Sequence, residues 1–143
     1  MKVLIIYAHP NPQSFNAALL KAVERGLREA GHAYAVIDLY KDRFNPVLVY
    51  NDKIRRRDLK NDPETAHYRE LVRDADHLIF IFPVWWYGVP AILKGFFDRV
   101  FASGFAYRYD GAVPKGLLKG KSAWVVYTLD SPGWYVRLVR RSV

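Results

Sequence analysis

Trp85, Trp86 and Tyr87 are adjacent, between a run that reads as a buried strand, His77 to Phe82, and one with helical apolar spacing, Ile92 to Phe101. Three large aromatics on a connecting loop suit stacking against a planar ring. They could instead plug the core, but Gly88 and Pro90 directly after them favour a shaped platform. An earlier loop offers complementary chemistry. Met1 to Ala8 reads as a strand, and His9-Pro10-Asn11-Pro12-Gln13-Ser14-Phe15-Asn16 leads into a strongly periodic helix. A helix N-terminus presents unpaired N–H groups and the positive end of its dipole, which together favour an anion. Ser14, Asn16 and His9 add side-chain donors there. Alone, this loop reads equally well as Ser14 capping the helix with His9 bonded inside the turn. Beside the aromatic loop it reads as half of one site, with a phosphate on the first loop and a flat ring on the second.

The elements that must position these loops alternate. Lys2 to Ala8 is a near-continuous apolar run with β-branched residues, as in a parallel strand buried on both faces. Phe15, Leu19, Ala22, Val23, Gly26, Leu27 and Ala30 then follow helical spacing, with Gly31 as a stop. Tyr34 to Leu39 is a second strand, and 42–61 a long polar connection. Asp62-Pro63-Glu64 has the cap and first-turn proline of a helix start, and the spacing predicts a helix to about Asp74. His77 to Phe82 is a third strand. Ile92, Leu93, Phe96, Phe97, Val100 and Phe101 give the next helix its buried face. Ser122 to Thr128 is a fourth strand. This β-α-β-α-β-α-β order implies right-handed crossovers and a parallel α/β sheet with helices on both faces. Ligands of such sheets bind beyond the strands' carboxyl ends, where strand order reverses. Gly133 to Val143 looks like the start of another amphipathic helix, which would leave the fourth strand as an open edge.

The chain has 143 residues, enough for one domain, and its 51% hydrophobic and 25% charged content is that of a folded globule. No apolar run approaches the roughly 20 residues that span a bilayer, and polar His9 interrupts the first strand too early for a secretory signal. The expectation is a cytoplasmic protein without membrane insertion. Cysteine is absent, so there is no disulfide framework or dithiol pair, and redox chemistry would need a bound cofactor. The four histidines lack metal-site spacing, and no metal is expected. Neither a GxGxxG fingerprint, a Walker A loop nor a G-x-S-x-G elbow is present. The net charge of +8 admits an anionic partner. Because Arg55, Arg56, Arg57, Lys60, Arg137, Arg140 and Arg141 are scattered without base-stacking motifs, we expect no nucleic-acid partner. A solvated basic surface, or a field that draws in an anionic dinucleotide, accounts for the charge.

Three stretches in order carry a resemblance. They are Ala8-His9-Pro10 with Ser14-Phe15-Asn16; Phe82-Pro83 through Gly88-Val89-Pro90-Ala91-Ile92-Leu93-Lys94-Gly95 to Arg99-Val100-Phe101; and Phe105-Ala106-Tyr107-Arg108-Tyr109. With them the chain resembles the NAD(P)H:quinone oxidoreductases of flavodoxin-like fold, which include modulators of drug activity and ancillary oxidoreductases of potassium-efflux systems. The resemblance implies a doubly wound sheet of order 2-1-3-4, with the family's fifth strand missing and the single domain, 1–143, C-terminally incomplete. It implies a flavin, FMN in preference to FAD, with its phosphate against His9, Ser14, Phe15 and Asn16. The ring would lie along Pro83, Val84, Trp85, Trp86 and Tyr87. Thr128, Leu129 and Asp130 occupy the family's next flavin loop, usually a Thr-Thr-Gly-Gly-like run. Here Asp130 and Pro132 stiffen that loop and place an anion near the ring, which would lower the potential. Tyr135 matches a catalytic tyrosine whose partner histidine has no counterpart. Tyr107 and Tyr109 match positions that reach the substrate pocket of the other subunit in a homodimer.

The implied activity is hydride transfer from NAD(P)H through flavin N5 to a quinone or similar flat acceptor, both substrates using one face in turn by a ping-pong mechanism. Two alternatives share the fold. One is a flavodoxin-type carrier of single electrons, which the basic charge and the aromatic loop disfavour. The other is a flavin-binding regulatory subunit of a transporter or other partner, to which an open sheet edge is suited.

Overall fold

The computed structural model describes residues 1–135. Strand β1, Lys2–Tyr7, has only Lys2 exposed, and β3, His77–Pro83, is buried throughout. Strand β2, Ala33–Asp38, pairs in parallel with one edge of β1, and β3 pairs in parallel with the other. Strand β6, Ser122–Thr128, extends the sheet in parallel beyond β3, giving the order β2-β1-β3-β6. The progression from β1 to β2 runs one way across the sheet and that from β3 to β6 the other. Strand order therefore reverses between β1 and β3, and the two loops singled out above leave the carboxyl ends of those strands.

Alternate strand residues point to opposite faces and build two cores. Val3, Ile5, Tyr7, Ile79 and Ile81 meet Ala17, Leu20, Val23 and Leu27 of helix α1, Phe15–Glu29. Leu4, Ile6, Leu78, Phe80 and Phe82 meet Val72 of α2, Pro63–Asp74, and Leu93, Phe96 and Val100 of α3, Ala91–Val100. The expected apolar stripe of α1 is narrower than its sequence suggests, since Phe15, Ala22, Gly26 and Ala30 are exposed. Gly31 adopts φ +68° past the end of α1, a left-handed stop that glycine enters without steric cost.

Three local differences from the sequence reading have physical causes. Strand β2 ends at Asp38, one residue early, because Asp38 Oδ1 accepts from Lys41 N at 3.1 Å and turns the chain; Leu39 is buried just beyond. The 42–61 connection ends in a 3₁₀ turn, Arg56–Asn61, where Asp58 Oδ2 accepts from Arg55 N at 3.2 Å. The chain between α3 and β6 forms a hairpin of β4, Tyr107–Asp110, and β5, Val113–Gly116, around the Gly111-Ala112 turn. The amphipathic stretch expected over 133–143 lies, from Val136 onward, outside the described residues.

Arg99 anchors the long connection. Its guanidinium, 5% exposed as a residue, donates to Asn45 O at 2.6 Å, Asp62 Oδ2 at 2.9 Å and Glu64 Oε2 at 2.7 Å. Burial alone would push the Asp62 carboxyl up, but the hydrogen bonds from Arg99 and Glu64 N outweigh it and hold it below its ordinary value.

Candidate functional site

The first loop leaves β1 with Ala8 N still bonded to Ile81 O at 3.0 Å, so its starting direction is set by the sheet. His9 Nδ1 accepts from Asn11 N at 3.0 Å and Asn11 Oδ1 accepts from Gln13 N at 2.8 Å, two side-chain turns in succession. Ser14 then caps α1, its Oγ accepting from Ala17 N at 3.1 Å. Capping and ligand contact are compatible, because the hydroxyl keeps its own proton to donate. The Tyr7 hydroxyl lies 3.5 Å from Ser14 Oγ, and burial raises that phenol above its ordinary value despite the contact.

Trp85 to Gly88 forms a minimal hairpin. Trp85 N donates to Gly88 O and Gly88 N to Trp85 O, both at 3.0 Å. Trp86 and Tyr87 between them have φ of +52° and +58°. This is the left-handed pair that a two-residue turn demands and that Asn-Gly normally supplies. Two bulky aromatics are thus held in a costly conformation, a kind of strain that clusters at ligand sites. Trp85 faces the first loop, its ring 6.0 Å from that of His9, while Trp86 is fully exposed at the tip.

A third loop closes the arrangement. Thr128 O accepts from Val84 N at 2.8 Å, extending the β3–β6 ladder past the strand ends. The Asn16 amide, 3% exposed as a residue, donates from Nδ2 to Thr128 Oγ1 at 2.8 Å, joining α1 to β6. Asn16 Oδ1 is buried with no hydrogen-bond partner.

These loops enclose a cavity of about 470 Å³. His9, Ser14, Phe15 and Asn16 form one wall; Pro83, Val84 and Trp85 the second; Thr128, Leu129 and Asp130 the third. Tyr127 also lines it; its alternation along an open strand was the available signal, and the sequence reading did not use it. Trp86, Tyr87 and Tyr135 are not in the lining. The neighbouring Tyr135 hydroxyl instead raises the Tyr87 phenol above its ordinary value. The described end of the chain therefore meets the tip of the aromatic turn. Tyr107 and Tyr109 pack edge to face at 5.7 Å on the β4–β5 hairpin, outside this chain's own cavity.

The arrangement can hold an anion at the α1 terminus and a flat group against Pro83 to Trp85. The capped α1 terminus, the wall from Pro83 to Trp85 and the cavity's size, within the range of cofactor sites, fit a ring-and-phosphate ligand. Among the described residues no group of three or more His, Asp or Glu is placed to hold a metal ion. Among the described residues, cavities of about 320 Å³ beside Arg99 and about 570 Å³ between α1 and β6 lie away from the reversal point.

Residues 1–139 match the family described as having a flavodoxin-like fold. The chain belongs to that family. Within it the chain is homologous to the NAD(P)H:quinone oxidoreductases. It is 33% identical to the NAD(P)H:quinone oxidoreductase from Methanothermobacter marburgensis, covering 99% of this chain and 73% of that one at a TM-score of 0.87. A Streptococcus mutans UA159 protein, Smu.1420, is 51% identical over 96% of this chain and 73% of its own, at a TM-score of 0.93. The NAD(P)H dehydrogenase [quinone] 1 of Cavia porcellus is 37% identical across 85% of this chain. General stress protein 14 from Treponema denticola, 26% identical over 92% of this chain and 64% of its own at a TM-score of 0.64, was solved in complex with FMN. This flavodoxin-like chain spans 50–65% of the length of the curated relatives it matches.

Proposed function

We propose that this chain provides the flavin site of an NAD(P)H:quinone oxidoreductase using FMN, with a quinone or similar flat molecule as acceptor. One observation carries the reading: a single cavity at the strand-order reversal sets a helix N-terminus opposite an aromatic turn. The relatives' activities and the FMN seen in one of them support it.

A bound flavin would supply the hydride-transfer chemistry between NAD(P)H and the acceptor. The chain's residues supply position and exclusion. The first-turn N–H groups of α1, with Ser14 and His9, would hold the phosphate. Pro83, Val84 and Trp85 would support the ring, and Asp130 would face its third side. Trp86 and Tyr87, held out on the strained turn, would cover the stacked substrate, and Tyr135 would fix Tyr87 through its hydroxyl. Tyr107 and Tyr109 lie outside their own cavity, so we assign them to the cavity of a second copy in a homodimer. A cytoplasmic location is part of the same proposal. The positive charge suits an anionic dinucleotide, and the scatter of the basic residues without base-stacking motifs counts against nucleic acid as the partner.

The test is a spectrum of the purified protein, mass analysis of any released chromophore, and NADH and NADPH oxidation with a simple quinone. Yellow protein releasing FMN and turning over quinone is the expected result. Colourless protein that takes up neither FMN nor FAD would overturn the reading. Flavin-loaded protein without turnover would favour the regulatory role.

A further inference from the structure

Asn16 and Thr128 stand 112 residues apart and share one hydrogen bond, at 2.8 Å, across the floor of the cavity. That bond has two consequences. Thr128 Oγ1 accepts from Asn16 Nδ2, so the hydroxyl proton must find its acceptor elsewhere, and no described residue provides one. Thr128 lines the cavity. Meanwhile Asn16 Oδ1 is buried and unpartnered, which costs about 1–3 kcal/mol in a folded protein. A buried amide that leaves half its capacity unused is poor cement, and an apolar side chain of similar volume would fill the same space without that cost.

We propose that Asn16 is a positioning residue that turns the Thr128 hydroxyl into the cavity as a donor to the ring-and-ribityl part of bound FMN. The assignment to that part follows from the ladder: Thr128 pairs with Pro83 and its carbonyl holds Val84 N, so it stands beside the ring platform. The phosphate, by contrast, belongs to the α1 terminus. This proposal rests on the flavin reading above and adds the geometry by which one loop sets another.

The experiment compares wild type, Asn16→Leu, Thr128→Val and the double variant, each stripped of flavin and titrated with FMN and with riboflavin by fluorescence. Each single variant is expected to weaken FMN about tenfold, the value of one hydrogen bond to the ligand. The double variant should be no weaker than the poorer single, because both act through one donor. Riboflavin should lose as much as FMN. Flavin-free Asn16→Leu should melt no lower than wild type, whereas a merely structural asparagine would show a lower Tm. FMN binding unchanged in Asn16→Leu, or losses that add in full, would overturn the proposal, as would a loss seen with FMN and absent with riboflavin. Should Asn16→Leu not fold, the structural role is the correct one and Thr128→Val still reports on the donor. Wild type that binds neither ligand would instead bring down the flavin reading itself.

Discussion

Trp86 and Tyr87 occupy a conformation that their side chains resist, with φ of +52° and +58°. Each such residue costs about 1–3 kcal/mol, a cost that a sequence chosen for stability alone would shed by placing Asn-Gly in the turn. The paired substitution Trp86→Asn with Tyr87→Gly should therefore raise the flavin-free Tm, read by calorimetry, while weakening quinone turnover because the cover over the substrate is gone. A lowered Tm would show that the aromatics support the fold and are not held there for the ligand. Ser14 responds differently, since its hydroxyl caps α1 through Ala17 N. Ser14→Ala should cost about 1 kcal/mol of stability and also weaken FMN, seen as a lower Tm whose ligand-induced rise is smaller. The chemistry of both loops was legible from residue types, because caps, turns and adjacent aromatics are local. The Asn16–Thr128 bond was not, because 112 residues separate its ends and only the register of β6 brings them together.

Helix α3 is fixed against the rest by two features that its periodicity hides. Gly95 is one: a Cβ built there would collide with the Pro46 carbonyl, backbone that cannot step aside. Gly26 in α1 has nothing within 4 Å of the same position. Gly26→Ala should thus gain roughly 0.5–1 kcal/mol of helix stability, while Gly95→Ala should lose stability despite the same propensity gain. Chemical denaturation of the two variants checks the contrast, and equal gains would mean that the Pro46 contact is not maintained. The other feature is Arg99, whose bond to Asp62 keeps that carboxyl below 3.8, its ordinary value. A depressed acid contributes stability that is whole above about its unfolded pKa and is lost as pH falls through the lower folded value. Arg99→Gln should lower stability at neutral pH by about 1–3 kcal/mol, since it removes the donor shared by Asn45 O, Asp62 and Glu64, and should flatten acid unfolding below about pH 4. A variant that keeps the wild-type acid slope would show that Asp62 draws its depression from elsewhere. Strands β1, β2, β3 and β6, with α1, α2 and α3, were readable from period and caps. The 3₁₀ turn and the path of 42–61 were not, because Asn45 and Asp62 are placed by an arginine 54 and 37 residues away. Gly111-Ala112, with glycine at the first turn position, does carry a hairpin signal.

Across the whole molecule two surfaces stand out, one apolar and one charged. Strand β6 exposes Trp124, Val125 and Tyr127, residues on both of its faces, although β1 and β3 beside it are buried. The +8 charge is spread over lysines and arginines on several elements, and a field of this sign acts over a distance set by salt, about 10 Å at 0.1 M. Attraction of an anionic substrate by such a field raises its encounter rate and fades as salt is added. Under the oxidoreductase reading, kcat/KM for NAD(P)H should fall as sodium chloride rises from about 0.01 to 0.5 M, while kcat stays nearly constant. NADPH, with one more phosphate, should fall more steeply than NADH, and a neutral quinone should not respond. Steady-state kinetics at fixed pH measures all three slopes. Identical slopes for dinucleotide and quinone would mean that salt acts on the fold, and a flat dinucleotide profile would reduce the positive charge to a solvated surface.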